Sequence, residues 1–183
     1  QFGAGARDGA GCAAVHKSGA RMGIGGAGAN AYLGGNFGSE EADMPQVSLG
    51  LDTFGDVSLG ADGKLKPMDQ VLRDVVEQAV LADALGIDFI GLGEHHRDDF
   101  AISAPEIVLA AIAGRTQRIR LGTAVTVLST DDPVRVFQRF STLNAVSNGR
   151  AEAILGRGSF TESYGLFGHD TRDYDALFEE RLE

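Results

Sequence analysis

From Val47 onward, short apolar runs alternate with longer segments whose apolar residues recur at three- and four-residue spacing. The short runs predict four β-strands, and the longer segments predict four amphipathic helices. The predicted strands are 47–51, 88–92, 119–125 and 151–155; the predicted helices are 69–85, 103–114, 132–148 and a last one from about 171. Because strand and helix alternate at steps of roughly 30 to 40 residues, the pattern predicts right-handed βαβ units and a parallel sheet, either closed as a barrel or left open.

Local signals mark where three of these helices begin or end. Gly86 follows the first helix and predicts a C-terminal cap. Ser103 and Glu106 have the spacing of a capping box, with Pro105 in the first turn, and predict the start of the second helix. Asp132 predicts the start of the third.

Residues 1–43 differ from the rest of the chain. They are rich in Gly and Ala and show neither helical nor strand periodicity. Because such a segment buries too little apolar surface to offset the entropy of ordering, we interpret it as a flexible extension, with Met44 as the start of a domain that continues to residue 183. The alternative is a glycine-rich phosphate loop, but no strand precedes its Gly-x-Gly spacings and no amphipathic helix follows promptly.

The composition bounds the kind of partner and compartment. The chain has 183 residues, 43% of them hydrophobic, one cysteine and a formal net charge of −10. This charge argues against nucleic acid and anionic membrane surfaces as partners, since both would repel it. One cysteine excludes an internal disulfide and a cysteine-rich metal site. Because the sequence shows no apolar run long enough to cross a bilayer and no secretory signal pattern, the expected location is cytoplasmic.

Glu94, His95 and His96 follow directly on the second predicted strand. In a βα unit this is the end of the strand where chemistry is done, and histidine exchanges protons near neutral pH. Three interpretations stay open: a metal site, a structural pair with one packed and one solvated ring, and proton transfer or cofactor contact. A metal site is the least favoured, because adjacent residues of an extended segment point to opposite sides.

Three further groups follow the other predicted strands. After the fourth strand, two glycines flank Arg157, whose forked donors suit a phosphate or a carboxylate, and Ser159 adds a hydroxyl. The small residues of 122–126, at the end of the third strand, leave room for a flat ring or simply pack in the interior. Residues 52–55 follow the first strand, where they either form a polar wall of the site or simply make a turn. Because all four groups lie at the same end of consecutive parallel strands, we expect folding to bring them together.

Residues 46–183 resemble the luciferase-like class of flavin-dependent monooxygenases, the family that includes bacterial luciferase. The resemblance runs, in matching order and spacing, through Gly93-Glu94-His95-His96, 118–125, Asp132-Pro133-Val134-Arg135, Asn148-Gly149-Arg150, Gly156-Arg157-Gly158 and Phe167-Gly168. It implies a (β/α)8 barrel of the TIM type that binds FMN at its C-terminal mouth. About four βα units are present here, so the resemblance implies an N-terminal half barrel.

The resemblance also implies roles for individual residues. His95, the first of the paired histidines, is the one important to chemistry, with Glu94 orienting an imidazole. Arg157 reaches the FMN phosphate, and the loop at Ala124 and Val125 passes along the isoalloxazine ring and often carries a non-prolyl cis peptide bond. The remaining cofactor contacts are assigned to His96, Gly156, Gly158 and Ser159. Bacterial luciferase has a cysteine where this chain has Gly156, which argues against light emission with a long-chain aldehyde.

The implied activity is that of a monooxygenase that uses reduced FMN, supplied by a separate reductase, and oxygen on a small organic substrate. The alternatives are a deazaflavin- or FMN-dependent dehydrogenase, a non-catalytic flavin-binding protein and an inactive fragment. Members of the family commonly form homodimers when intact. Because the chain starts at Gln1 and its last predicted helix has no stop signal, we expect both ends to be cut. Four units alone should expose an apolar face and two unpaired strand edges, bind FMN weakly or not at all, and be inactive.

Overall fold

The computed structural model describes residues 15–16 and 47–183. The strands are β1 (Val15–His16), β2 (Ser48–Thr53), β3 (Phe89–Leu92), β4 (Arg120–Thr123), β5 (Thr126–Val127), β6 (Ala151–Glu152) and β7 (Leu155–Gly156). The helices are α1 (Met68–Leu85), α2 (Pro105–Ala113), α3 (Pro133–Val146), α4 (Glu162–Leu166) and α5 (Tyr174–Leu182), with short 3-10 helices at Leu128–Thr130 and Thr171–Asp173. The predicted α/β class with a parallel sheet is confirmed.

Strands β2, β3, β4 and β6 lie side by side and parallel, and β5 and β7 form a second parallel pair. At the other edge β1 runs antiparallel to β2, with Val15 opposite Leu49. The sequence pattern does not predict β1. Because of β1, the outer edge of β2 is paired over two residues. Apart from β1, the flexible extension predicted for residues 1–43, the alternative phosphate loop and Met44 lie outside the described residues.

One face of the sheet packs against the helices and forms the core. Leu51, Ile90 and Leu121 lie in one row across the sheet, and Thr53, Leu92 and Thr123 in the next. Ile90, Leu92 and Leu121 are buried against apolar side chains of three helices. These side chains are Val75 and Ala79 of α1, Leu109 and Ile112 of α2, and Val136, Phe140 and Leu143 of α3. The alternation of inward and outward residues therefore holds along each strand.

The other face of the sheet carries Asp52, Gly91, Gly122 and Glu152 side by side in register. The ring of Phe89 lies over the two glycines: a Cβ atom at Gly122 would stand 2.6 Å from its Cε2 atom. Small residues are therefore required here by packing. Asp52 Oδ1 is buried without a hydrogen-bond partner, and burial raises the pKa of this carboxyl although its backbone hydrogen bond opposes the shift.

The ends of the helices follow the sequence signals in two of three cases. Gly86 caps α1 with a left-handed φ of 83°, and the Asp132 carboxylate accepts a hydrogen bond from the Arg135 backbone N–H at the start of α3. The capping box predicted from Ser103 is wrong. Because Pro105 is the first helical residue, Ala104 is the N-cap of α2, and its methyl side chain cannot accept a hydrogen bond from the first turn.

Two predicted strands are interrupted. The third, predicted over 119–125, ends at Thr123, and a separate strand follows at Thr126; the fourth splits into β6 and β7. The carbonyl of Ile154 joins the interrupted edges, since it accepts hydrogen bonds from the Thr126 backbone N–H (2.9 Å) and the Thr123 hydroxyl (3.2 Å). A side-chain hydroxyl thus provides one of the links that a continuous strand would supply. The sequence pattern does not predict the 3-10 helix at Leu128–Thr130 or helix α4.

Part of the helix-facing side of β2 is open to solvent. Leu49 is 51% exposed and Leu51 is 42% exposed, although Leu51 lies in the same row as the buried Ile90. At the other end of the sheet, α3, β6 and α5 border an apolar groove of about 410 Å³. Among the described residues, none of the helices has the length and hydropathy needed to cross a membrane.

Candidate active site

His95 lies at the carboxyl end of β3 and forms a pair with Glu162, 67 residues further along the chain. The distance from His95 Nδ1 to Glu162 Oε1 is 2.9 Å. The backbone fixes the start of this loop, because the His95 N–H donates to the carbonyl of Ile102 at 2.9 Å. Burial pushes the pKa of Glu162 upward, but the hydrogen bonds that it accepts from His95 and the backbone outweigh burial, so its pKa lies below the ordinary value. Glu162 is therefore an ionised carboxylate at neutral pH.

Three phenylalanine rings enclose the imidazole of His95. The ring of Phe100 stacks on it with centroids 4.5 Å apart, and Phe54 and Phe160 meet it edge-on at 4.9 and 4.7 Å. Only 7% of His95 is exposed. We call these three residues the aromatic cage. They come from the loops after β2, β3 and β7, so the cage joins three segments of the chain around one titratable group.

Glu94 and His96 form a second carboxylate–imidazole pair, separate from the first. His96 Nε2 lies 2.9 Å from Glu94 Oε1, and the other carboxylate oxygen accepts from the Val127 backbone N–H at 3.5 Å. Burial raises the pKa of Glu94, and the hydrogen bond from His96 only partly offsets it. The carboxylate that orients His95 is therefore Glu162, whereas Glu94 orients His96. Among the described residues, no cluster of three or more potential metal ligands is present.

Small residues bring the loops after β3, β4 and β7 into contact. A Cβ atom at Gly93 would stand 2.0 Å from the Phe54 ring, and one at Gly156 would stand 2.4 Å from Val125 Cγ2. The peptide bond between Ala124 and Val125 is cis, as the resemblance implies. Ala124 and Val125 are half-buried and form a wall between the histidine loop and Gly156.

Arg157 comes directly after Gly156, and few contacts hold its side chain in place. Its side chain is 45% exposed, its Nε atom lies 3.5 Å from Asp175 Oδ1, and its guanidinium lies over the ring of Phe178 at 5.1 Å. The backbone of this loop is held more firmly. Tyr164 and Tyr174 donate hydrogen bonds from their hydroxyls to the carbonyls of Arg157 and Gly158, at 3.1 and 2.7 Å. Ser159 is exposed beside them.

The structure thus gathers the predicted site residues at one end of the parallel strands. Glu94 reaches the backbone after the Ala124–Val125 wall, Gly156 packs against Val125, and the loop that carries Arg157 returns to His95 through Glu162. Sequence reasoning missed Glu162 and the aromatic cage. The one sequence signal for Glu162 is its position a few residues after the glycine-flanked Arg157. No local pattern indicates that its carboxylate pairs with a histidine.

Known proteins share this sequence pattern. The family model described as luciferase-like monooxygenase matches residues 51–183. A curated relative, 4-hydroxyprotoasukamycin monooxygenase of Streptomyces nodosus subsp. asukaensis, is 36% identical over 141 residues, which cover 76% of this chain and 37% of the relative. The chain spans about a third of the length of the curated relatives it matches.

Solved structures share the fold. A monooxygenase from Streptomyces bottropensis superposes with a TM-score of 0.64 at 26% identity, over 73% of this chain and 40% of that one. The oxygenating constituent of 3,6-diketocamphane monooxygenase from Pseudomonas putida, solved in complex with FMN, superposes with a TM-score of 0.60 at 23% identity, over 64% of this chain and 34% of that one. From the family match over residues 51–183, this chain belongs to the luciferase-like monooxygenase family.

Proposed function

We propose that the whole protein is an FMN-dependent monooxygenase that acts on a small organic substrate with reduced FMN and oxygen. The observation that carries this proposal is the pair formed by the buried His95 and the half-buried Glu162, beside the Ala124–Val125 wall. An imidazole beside a surface suited to a flat ring can move protons next to a flavin, while the cofactor supplies the redox chemistry. Membership of the family supports the same assignment.

The residues at the mouth fit a flavin mononucleotide. Ala124 and Val125 present small apolar side chains that a planar ring system can lie against. Arg157 and Ser159 supply a cation and a hydroxyl for a terminal phosphate, and Arg157 is free to turn because its ion pair with Asp175 is long and solvent-exposed. The proposed ring contacts thus lie on the loop after β4 and the proposed phosphate contacts on the loop after β7, and the two loops meet where Gly156 packs against Val125.

Each protein group has a definite task in this proposal. Bound reduced FMN would supply the electrons that activate oxygen. His95 gives or takes a proton at the reacting centre, and the aromatic cage covers most of its ring, so that only 7% of the residue is exposed. Glu94 holds the imidazole of His96 and, through the Val127 N–H, ties the histidine loop to the strand after the wall. Arg157 fixes the phosphate and thereby the depth of the ring in the mouth.

The test is oxygen consumption by the whole protein with reduced FMN and a panel of small organic substrates. Substrate-dependent oxygen uptake supports the proposal. FMN binding without such uptake would indicate a flavin-binding protein, and turnover with a deazaflavin without oxygen would indicate a dehydrogenase; both outcomes contradict it. His95→Ala should lower turnover at least about 100-fold, the contribution of a general acid–base group, with little change in flavin affinity. Unchanged turnover would remove His95 from the mechanism. His169→Ala is the matched control, because the imidazole of His169 contacts Arg181, a residue without a role in the proposed mechanism.

A further inference from the structure

We infer that Glu162 is a positioning residue that holds His95 in the tautomer with its proton on Nδ1, so that Nε2 is the nitrogen that exchanges protons with cofactor or substrate. This inference rests on the proposed function for its chemical consequence. The tautomer itself is a property of the chain and can be measured without any activity.

The hydrogen-bonding capacity of the two groups places the proton on Nδ1. An ionised carboxylate has only acceptors, so at 2.9 Å from Glu162 Oε1 the Nδ1 atom of a neutral imidazole must carry the proton. The second nitrogen is then an unprotonated acceptor. Nε2 forms no hydrogen bond with the part of the chain that the structure describes, and it is not sealed from solvent. The pair therefore leaves one ring nitrogen of His95 available for proton exchange.

The packing around the imidazole keeps the ring from turning over. Rotation by half a turn would exchange Nδ1 for a carbon atom opposite Glu162 and leave that carboxylate short of a donor. Phe100 stacks on one face of the ring, and Phe54 and Phe160 abut it edge-on. The aromatic cage fixes the plane of the ring, and Glu162 selects one of the two orientations that a half-turn about the Cβ–Cγ bond would exchange. Neither constraint alone would define the position of Nε2.

The neighbouring pair uses the opposite nitrogen. Glu94 contacts Nε2 of His96 at the same 2.9 Å distance. The two adjacent histidines therefore contact their carboxylates through different nitrogens: His95 through Nδ1 and His96 through Nε2. Glu162 thus distinguishes His95 from His96 as the group able to exchange a proton through Nε2.

Nitrogen-15 NMR of the 183-residue chain tests the inference, because the shifts of the two ring nitrogens distinguish protonated from unprotonated nitrogen. The chain has four histidines, and the His95 signals are assigned by their loss in His95→Gln. At a pH where the ring is neutral, His95 should carry its proton on Nδ1. In Glu162→Gln, an amide can donate as well as accept, so the Nδ1-protonated population should fall and Nε2-protonated ring should appear. Glu162→Asp keeps the charge and should retain the wild-type tautomer at least in part.

Glu180→Gln removes the same charge from an exposed position of α5 and should leave the His95 signals unchanged. Protonation on Nε2 in the unmodified chain, or an unaltered tautomer in a folded Glu162→Gln variant, overturns the inference. In the whole protein, Glu162→Gln should lower kcat about 10- to 100-fold with little effect on KM, the loss expected when a reacting group is mispositioned. Failure of the unmodified protein to consume oxygen would refute the proposed function and leave the tautomer result standing.

Discussion

Val125 occupies the space that a side chain at Gly156 would need. A Cβ atom at Gly156 would stand 2.4 Å from Val125 Cγ2, closer than such atoms approach in folded proteins. This contact connects the loop after β4 with the end of β7, and these are the two segments to which we assign the flavin ring and its phosphate. The glycine is thus required by the packing of the mouth.

Gly156→Ala should therefore destabilise the protein by about 1–3 kcal/mol, the usual effect of adding an atom to a packed site. Val125→Ala in the same chain should recover much of the loss, because it removes the atoms that the new methyl group meets. Gly165→Ala is the control, since a Cβ atom at Gly165 would meet no atom within 4 Å and its site in α4 favours alanine. Urea denaturation of the wild type, the two single variants Gly156→Ala and Val125→Ala, the double variant and the Gly165→Ala control measures the coupling. Additive effects of the two substitutions would show that the contact is not energetically significant.

The sequence predicts the parts of the fold that depend on local pattern and misses those that depend on distant contacts. Helices α1 and α3 follow from their apolar spacing and from Gly86 and Asp132. The strand interruptions at 124–125 and 153–154 fall in runs that still look apolar, so composition gives no signal for them. Glu162 reaches His95 across 67 residues, and no local pattern encodes that distance. Ser103 has the spacing of a cap, but the chain places Ala104 at that position.

Arg157→Ala should weaken FMN binding about tenfold or more while leaving riboflavin binding nearly unchanged, because riboflavin lacks the phosphate and a hydrogen bond to a charged group contributes about 1.5–3 kcal/mol. Asp175→Asn should act in the opposite direction, since it removes the carboxylate 3.5 Å from the Arg157 side chain that competes with the phosphate. Fluorescence or NMR titration with both ligands measures the difference. Equal losses for FMN and riboflavin would place the phosphate elsewhere.

Glu94 and Glu162 should affect the pH dependence of stability in opposite directions. Burial raises the pKa of Glu94 in the folded state, so its contribution to the free energy of unfolding falls as the pH rises from about 4.3, the ordinary glutamate value, through its folded pKa. The pKa of Glu162 is lowered, so its contribution is present above about pH 4.3 and is lost as the pH falls through its folded pKa.

The measurement is the unfolding free energy of the wild type minus that of Glu94→Gln or Glu162→Gln, at several values between about pH 3 and 7. The difference for Glu94→Gln should decrease with rising pH, and the difference for Glu162→Gln should increase. Because the two variants make the same chemical change, each controls for the general effect of replacing a carboxylate. Slopes of the same sign would contradict the assignment of opposite pKa shifts.

Mapping the binding of FMN onto the chain tests most directly whether the loops after β3, β4 and β7 form one flavin site. The nitrogen-15-labelled 183-residue chain is titrated with FMN into the millimolar range, and changes in backbone amide shifts are followed. We predict weak binding with the largest changes at residues 94–96, 123–127 and 156–160. Changes centred on the opposite rim, at residues 86–88, 117–119 and 149–151, would contradict a shared flavin site.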